Sequence, residues 1–104
     1  MNRFLINEGV QIQREGESIR YKITTTPWAN NPTNIIVEVW DITNPNNELD
    51  VTLTTITGTS SVLGDVITLP NLHSLDKNHK YRVDIYFNSS GNTLVIPLLV
   101  KGIR

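Results

Sequence analysis

Apolar and polar residues alternate along much of this chain, with the period of two that is typical of half-buried β-strands. Residues 18–25 are the clearest case, because Ile19, Tyr21 and Ile23 share one face of the segment. No stretch carries a sustained period of 3.6 residues, so long amphipathic helices are not expected. The pattern predicts strands near residues 10–12 and at 18–25, 33–42, 50–57, 65–69, 81–87 and 93–100.

The chain has 104 residues and only one alanine, a composition that favours strands joined by turns over helices. We predict a single domain over residues 1–104, with residues 1–16 as an N-terminal arm or a first edge strand. Seven strands separated by turns indicate an antiparallel all-β sandwich. A barrel of five or six strands, of the oligonucleotide-binding kind, is the structural alternative.

A motif near the C-terminal third indicates how the strands connect. Leu75 stands six residues before Tyr81, a polar turn separates them, and apolar residues alternate with charged ones afterwards. Over about residues 62–100 this resembles the tyrosine corner of immunoglobulin-like and fibronectin-III-like sandwiches. Lys77 and Asn78 replace the Pro-Gly of the fibronectin pattern, and Asn tolerates a left-handed backbone. The resemblance implies a seven-stranded immunoglobulin-like sandwich in which the Tyr81 hydroxyl bonds to backbone at residues 75–78.

A second resemblance concerns three short segments, at residues 26–28, 37–43 and 64–70. Together they are similar to short immunoglobulin-like proteins encoded among phage and prophage structural genes. Such modules decorate or join parts of a virion. The resemblance implies a virion-associated structural protein.

Charge and cysteine content limit the classes of partner. The 9 basic and 10 acidic residues nearly balance, so charge gives no reason to expect a nucleic acid or a membrane surface as partner. There are no cysteines, so disulfides and thiolate metal sites are excluded. The N-terminal residues lack the apolar run of a signal peptide. We therefore expect a protein made in the cytoplasm, with a virion as its further destination.

The search for catalytic or metal-binding residues gives no strong motif. His73, His79 and Asp76 flank the corner as possible metal ligands, but we interpret the histidines as solvated loop residues. No phosphate-binding loop and no serine nucleophile elbow occurs, and the carboxylates are scattered singly. We expect no enzyme, no cofactor and no metal site.

The strongest functional indication is that the strands at residues 33–42 and 93–100 have apolar residues on both faces, since antiparallel sandwiches normally solvate their outer faces. We expect these two strands to flank the strand at residues 81–87 in one sheet. We predict an interaction face made by Ile36, Trp40, Tyr86, Ile96 and Leu98. The phase of the last strand is left open, because Pro97 is compatible with an edge position or a bulge, so Val95 and Leu99 are the alternative to Ile96 and Leu98 on this face. Alternatively, Trp40 points inward as the central core residue. An apolar outer face implies a protein partner or a homo-oligomer.

The loop at residues 26–32 gives a second functional hypothesis. Trp28 lies beside Asn30 and Asn31, and an exposed indole next to amides is the chemistry of sugar stacking. This would make the protein a carbohydrate-binding or adhesive module. The alternative is that Trp28 caps one end of the core, because Trp is highly buried on average.

Overall fold

A computed structural model describes residues 10–25 and 31–104 of the chain. Across these residues the protein is mostly β, with ten strands and a single helical turn, α1 (Thr52–Thr55). The strands are β1 (Gln11–Arg14), β2 (Lys22–Thr24), β3 (Thr33–Asp41), β4 (Leu49–Asp50), β5 (Ile56–Thr57), β6 (Ser61–Leu63), β7 (Val66–Thr68), β8 (Asn71–Leu72), β9 (Lys80–Ser89) and β10 (Asn92–Ile103). The prediction of an all-β chain is therefore confirmed.

The largest sheet has five strands in the order β1-β10-β9-β3-β4. All its pairings are antiparallel except that of β1, which runs parallel to β10. The prediction that the strands around residues 33–42 and 93–100 flank the strand around 81–87 is confirmed. The first strand is an edge strand of this sheet, and the remainder of the predicted arm, residues 1–9, lies outside the described residues.

The β9–β10 hairpin closes more tightly than expected. The sequence predicts a loop of about four residues, but Ser89 pairs with Asn92, so only Ser90 and Gly91 remain in the loop. Both have positive φ angles, 52° and 82°, as the two-residue type I′ turn requires. The ladder therefore runs to the end of both strands, and the register between them is continuous.

Two smaller sheets complete the fold: a three-stranded one in the order β2-β7-β6 and a two-stranded one formed by β5 and β8. A single hydrophobic core takes side chains from the five-stranded and three-stranded sheets together. Its members are Ile23, Val39, Ile67, Leu69, Leu72, Leu75, Tyr81, Val83, Ile85, Phe87, Ile96, Leu98 and Val100. On β9 the odd-numbered residues therefore face the core, and the even-numbered ones face away from it.

The predicted tyrosine corner is present. The backbone N–H of Asp76 donates a hydrogen bond of 2.9 Å to the hydroxyl of Tyr81, and Tyr81 is only 2% exposed. Asn78 has a φ of 67°, the left-handed conformation that its position in the turn predicted. Leu75 is buried in the core beneath the turn. The contact holds the turn at residues 75–78 against the start of β9.

Removing this hydroxyl should have a measurable effect. We expect Tyr81→Phe to lower the free energy of unfolding by about 1 kcal/mol, because the Asp76 N–H loses its acceptor. For a domain of this size that is a fall of about 4–8 °C in melting temperature, measurable by circular dichroism. Tyr86→Phe is the control: Tyr86 is half-buried and its hydroxyl bonds to the Glu38 side chain on the side of the sheet away from the core. The loss of that hydroxyl should therefore change stability by less than about 0.5 kcal/mol. Equal melting temperatures for wild type and Tyr81→Phe would contradict a stabilising corner.

The prediction of one strand over residues 50–57 is wrong. The segment instead contains α1 between two-residue strands, because hydroxyl groups hold the backbone in a turn. Asp50 accepts hydrogen bonds from both the N–H and the hydroxyl of Thr52, at 3.0 and 2.6 Å, and the Thr55 hydroxyl donates to the Val51 carbonyl at 2.8 Å. Threonine side chains that bond locally compete with a β-ladder. Breaks of this kind divide the described chain into more strands than the seven expected.

Candidate functional site

The face of the five-stranded sheet that points away from the core is the candidate functional site, and we call it the outer face. The strand register arranges its side chains in four rows that cross β10, β9 and β3. The first row is Val95, Tyr86 and Ile36; the second is Pro97, Asp84 and Glu38; the third is Leu99, Arg82 and Trp40; the fourth is Lys101 and Lys80.

The outer face brings together part of the predicted interaction face. Ile36 is 59% exposed, and Trp40 and Tyr86 are half-buried on the same face. Trp40 does not point into the core, because its neighbour Val39 does. The Trp40 indole N–H instead donates to Glu38, at 3.4 Å. The alternative in which Trp40 is the central core residue is therefore wrong.

The placement of Ile96 and Leu98 on this face is wrong. Both are core residues, and the outer face carries Val95 and Leu99, which are 42% and 40% exposed. The reason is that the β9–β10 register has no bulge at Pro97, so the alternation of β10 continues without a shift. Pro97, which has no backbone N–H to donate, lies in the part of β10 that β1 does not pair with. Within the described residues, β1 pairs with β10 only from Val100 to Ile103.

An ionic cluster lies at the centre of the outer face. The Arg82 guanidinium donates through Nε to both carboxylate oxygens of Asp84, at 3.1 Å each, and through its terminal nitrogens to Glu48, at 3.2 and 3.3 Å. Burial raises the pKa of Asp84, although its contact with Arg82 acts in the opposite direction. Hydrogen bonds to Glu48 raise the pKa of Arg82 further. The Arg82 side chain is thus held by two carboxylates, one from Asp84 on the same strand and one from Glu48 in the loop before β4.

The charges of the outer face are also arranged in like-charge pairs. Glu38 lies directly opposite Asp84 in the second row, and Lys80 lies directly opposite Lys101 in the fourth. Among the described residues, neither lysine has a carboxylate within ion-pair distance. Like charges in directly opposed positions destabilise a sheet. The face is therefore acidic near its centre and basic at one end.

A shallow cavity of about 490 Å³ extends the outer face beyond its first row. It is lined by Asn34, Ile36, Glu38, Tyr86, Phe87, Asn88 and Thr93. The register of β3 shifts between Thr33 and Ile36, and Asn34 has a φ of 54° in this irregular segment. The distortion turns the end of β3 away from a regular ladder and leaves an apolar recess with polar side chains at its border.

The two histidines do not meet. His79 Nδ1 lies 2.7 Å from Asp41 Oδ2, whereas His73 contacts the hydroxyls of Thr57 and Ser74. Burial favours the protonated form of Asp41, but hydrogen bonds from Thr43 and His79 outweigh it and lower the pKa of this carboxyl. Over residues 10–25 and 31–104, no group of three His, Cys, Asp or Glu side chains is placed to hold a metal ion.

The predicted ligand loop can be described only at its end. Trp28 and Asn30 lie outside the described residues, so the carbohydrate site stays a prediction. Asn31 is exposed with a φ of 48°, and its backbone N–H donates to Asp65, at 3.1 Å. This bond ties the end of the loop to the start of β7.

Comparison with known proteins gives no relative: no family model matches the chain, and neither a curated protein nor a solved structure is significantly similar to it. In the part of the chain that the structure describes, no helix has the length and apolar character needed to cross a membrane.

Proposed function

We propose that this protein is a non-catalytic structural module that self-associates or docks on a larger particle through its outer face. The observation that carries the proposal is the exposure of Ile36, Val95 and Leu99 on one sheet face, together with the half-buried rings of Trp40 and Tyr86. Contiguous apolar patches of more than a few hundred Å² are rare on monomers and mark interaction sites. Two aromatic rings and an ordered arginine are also the residue types enriched at interfaces.

We further propose that the fold is an immunoglobulin-like sandwich. Two features support this: the tyrosine corner at Tyr81, and a core that draws on both the five-stranded and the three-stranded sheet. The similarity of residues 26–28, 37–43 and 64–70 to small phage and prophage structural proteins supports a place in a virion. In that setting the outer face would join one subunit to its neighbours.

The test is to remove the apolar character of the outer face without disturbing the core. We expect the wild-type protein to form oligomers at micromolar concentration, measured by light scattering coupled to size-exclusion chromatography. Ile36→Glu should shift the protein to a monomer, because the new carboxylate would be buried in the contact without a partner. Leu53→Glu is the matched control: Leu53 is 97% exposed on α1 and belongs to none of the four rows of the outer face, so the oligomer should persist.

Circular dichroism should show that both variants keep the wild-type fold, since the side chains of Ile36 and Leu53 make no part of the core. A wild-type protein that stays a monomer up to about 0.5 mM would remove self-association from the proposal. Equal loss of the oligomer in both variants would show that a different surface carries the contact.

A further inference from the structure

The charged side chains of the outer face would be complemented by a partner that carries positive charge at one position and negative charge at another. Glu38 and Asp84 face each other in the second row, and Lys80 and Lys101 in the fourth. Arg82 pairs with Asp84 but is shared with Glu48, so the acidic cluster keeps a net negative charge. Among the described residues, Glu38 has no cation within ion-pair distance, and neither lysine has a carboxylate within that distance. The two pairs are four residues apart along β9, a distance of about 13 Å. A surface that places positive charge over the second row and negative charge over the fourth would compensate both pairs.

We propose that this partner is a second copy of the same chain, stacked face to face on the outer face. The two-fold axis would lie between the two sheets and run across the strands along the third row. The proposal rests on the proposed function, because it names the partner of the same face. In this arrangement each strand lies over its own copy and the second row of each copy lies over the fourth row of the other. Asp84 therefore lies over Lys80 of the second copy, twice by symmetry, and Glu38 lies one strand to the side of that contact.

Two simple orientations of the two-fold axis are conceivable, across the strands or along them, and the charge pattern favours the axis across the strands. An axis along β9 would place each row over the same row of the second copy, which sets Asp84 against its own copy and Lys80 against its own copy. Like charges brought together across an interface cost several kcal/mol. Of these two axes, only the one across the strands brings the net negative charge of the second row next to the lysines of the fourth row.

The residues on and beyond the axis are compatible with this stacking. The third row, with Leu99, Arg82 and Trp40, meets its own symmetry copy. Asp84 and Glu48 neutralise the charge of Arg82, so the two arginines can approach each other at the axis. The planar guanidinium of each can also stack on the Trp40 ring of the second copy, one strand to the side. The alternation of β10 places half-buried Ile103 on the outer face, where it would meet Val95 of the second copy.

The size of the face sets the expected affinity. With the axis along the third row, the second, third and fourth rows of the two copies overlap, and three strands about 4.8 Å apart with three rows about 6.8 Å apart cover roughly 20 by 20 Å with their side chains. Stacking would bury about 400 Å² on each copy, or about 800 Å² in total before the contact of Val95 with Ile103, which is the size range of weak, transient interfaces. We therefore expect a reversible dimer with a dissociation constant in the micromolar range.

Charge reversal and charge exchange test the arrangement. We expect Lys80→Glu and Glu38→Lys each to raise the dimer dissociation constant at least about tenfold in sedimentation velocity, because each reversal acts twice in a two-fold dimer. The double variant Glu38→Lys/Lys80→Glu should restore the constant to within about threefold of wild type, since the rows then exchange signs. Lys22→Glu is the control, because Lys22 is an exposed residue of β2 in the other sheet and should have no effect.

The same substitutions should leave the monomer intact. Lys80→Glu places a carboxylate opposite Lys101, and Glu38→Lys places an ammonium opposite Asp84, so each replaces a repulsive cross-strand pair by an attractive one. At concentrations where the protein is monomeric, the melting temperature of each single variant should equal or exceed that of wild type. Weaker association together with unchanged or higher stability is a combination that unfolding does not produce.

The possible failures are distinguishable. A dimer that Ile36→Glu dissociates but the charge variants leave unchanged would overturn the proposed axis and leave the proposed function in place. A double variant that is no tighter than the single variants would overturn the row-to-row contact in the same way. A wild-type protein that stays monomeric at every concentration would overturn both the dimer and the self-association.

Discussion

Replacing Gly102 by alanine should be among the most destabilising single substitutions in this protein. An added Cβ at this position would fall on the carbonyl oxygen of Asp76, well inside contact distance, and would lie 3.1 Å from the carbonyl carbon. Both atoms belong to the backbone, so no side-chain rotation relieves the overlap. The Gly102 N–H also donates to the His79 carbonyl at 2.9 Å, and its own carbonyl accepts from Asn78 at 2.8 Å. The overlap would therefore push apart β10 and the turn before β9.

We expect Gly102→Ala to lower the free energy of unfolding by about 3 kcal/mol or more, at the upper end of overpacking effects. The melting temperature should fall by at least about 12 °C. Gly58→Ala is the control: Gly58 has a φ of 94° and nothing within 4 Å of its added Cβ, so it should cost only about 1 kcal/mol of backbone strain. Equal losses in the two variants, measured by urea unfolding, would show that the close approach at Gly102 carries no energy.

The centre of the five-stranded sheet could be predicted from sequence because its signals are local. Strict alternation in β9 gives its face, and the spacing of Leu75 and Tyr81 gives the corner that precedes it. The apolar character of both faces of β3 and β10 indicates that they flank β9, since only a central position with a covered outer face accommodates such strands. These three elements also contain most of the candidate site.

The phase of β10 could not be derived in the same way. With apolar residues on both faces, the strand has no alternation to fix its register, and Pro97 is equally compatible with an edge position or a bulge. The structure resolves this through the type I′ turn at Ser90 and Gly91, which forces Val95 opposite Tyr86. The signal was present in the Ser-Gly pair, but it fixes the register only once the loop is known to have two residues.

The ionic cluster was missed for a different reason. Arg82 contacts Glu48, which is 34 residues away, and no local pattern links a loop carboxylate to a strand arginine. The like-charge pairs Glu38–Asp84 and Lys80–Lys101 likewise exist only in the register of the sheet. Long-range pairing determines the electrostatics of the outer face, whereas short-range alternation determines its apolar residues.

Arg82→Met should destabilise the protein strongly at neutral pH, because it leaves the Asp84 carboxylate buried without its counter-charge. Losing one partner of a buried ion pair typically costs 3–5 kcal/mol, and we expect about 2–3 kcal/mol here, because the Arg82 side chain is itself partly exposed. Methionine retains the apolar stem of the arginine, so little packing is lost. Urea unfolding at pH 7 measures the effect.

The loss should depend on pH with a defined sign. Burial already raises the pKa of Asp84 above its unfolded value. A carboxyl with a raised folded pKa favours the folded state at low pH, and this advantage is lost as the pH rises through the folded pKa. Removing Arg82 should raise that pKa further. The deficit of Arg82→Met relative to wild type should therefore be small near pH 4 and complete at pH 7.

The double variant Arg82→Met/Asp84→Asn separates charge from packing. Asparagine keeps the shape of Asp84 but has no charge to desolvate, so the double variant should recover much of the stability at pH 7 and lose the pH dependence of the deficit. Other carboxyls, such as Asp41 and Asp50, titrate alike in all the proteins compared, so their effects cancel in the difference. A deficit in Arg82→Met that is the same at pH 4 and pH 7 would mean that Arg82 stabilises the outer face by packing alone, without a role for its pairing with Asp84.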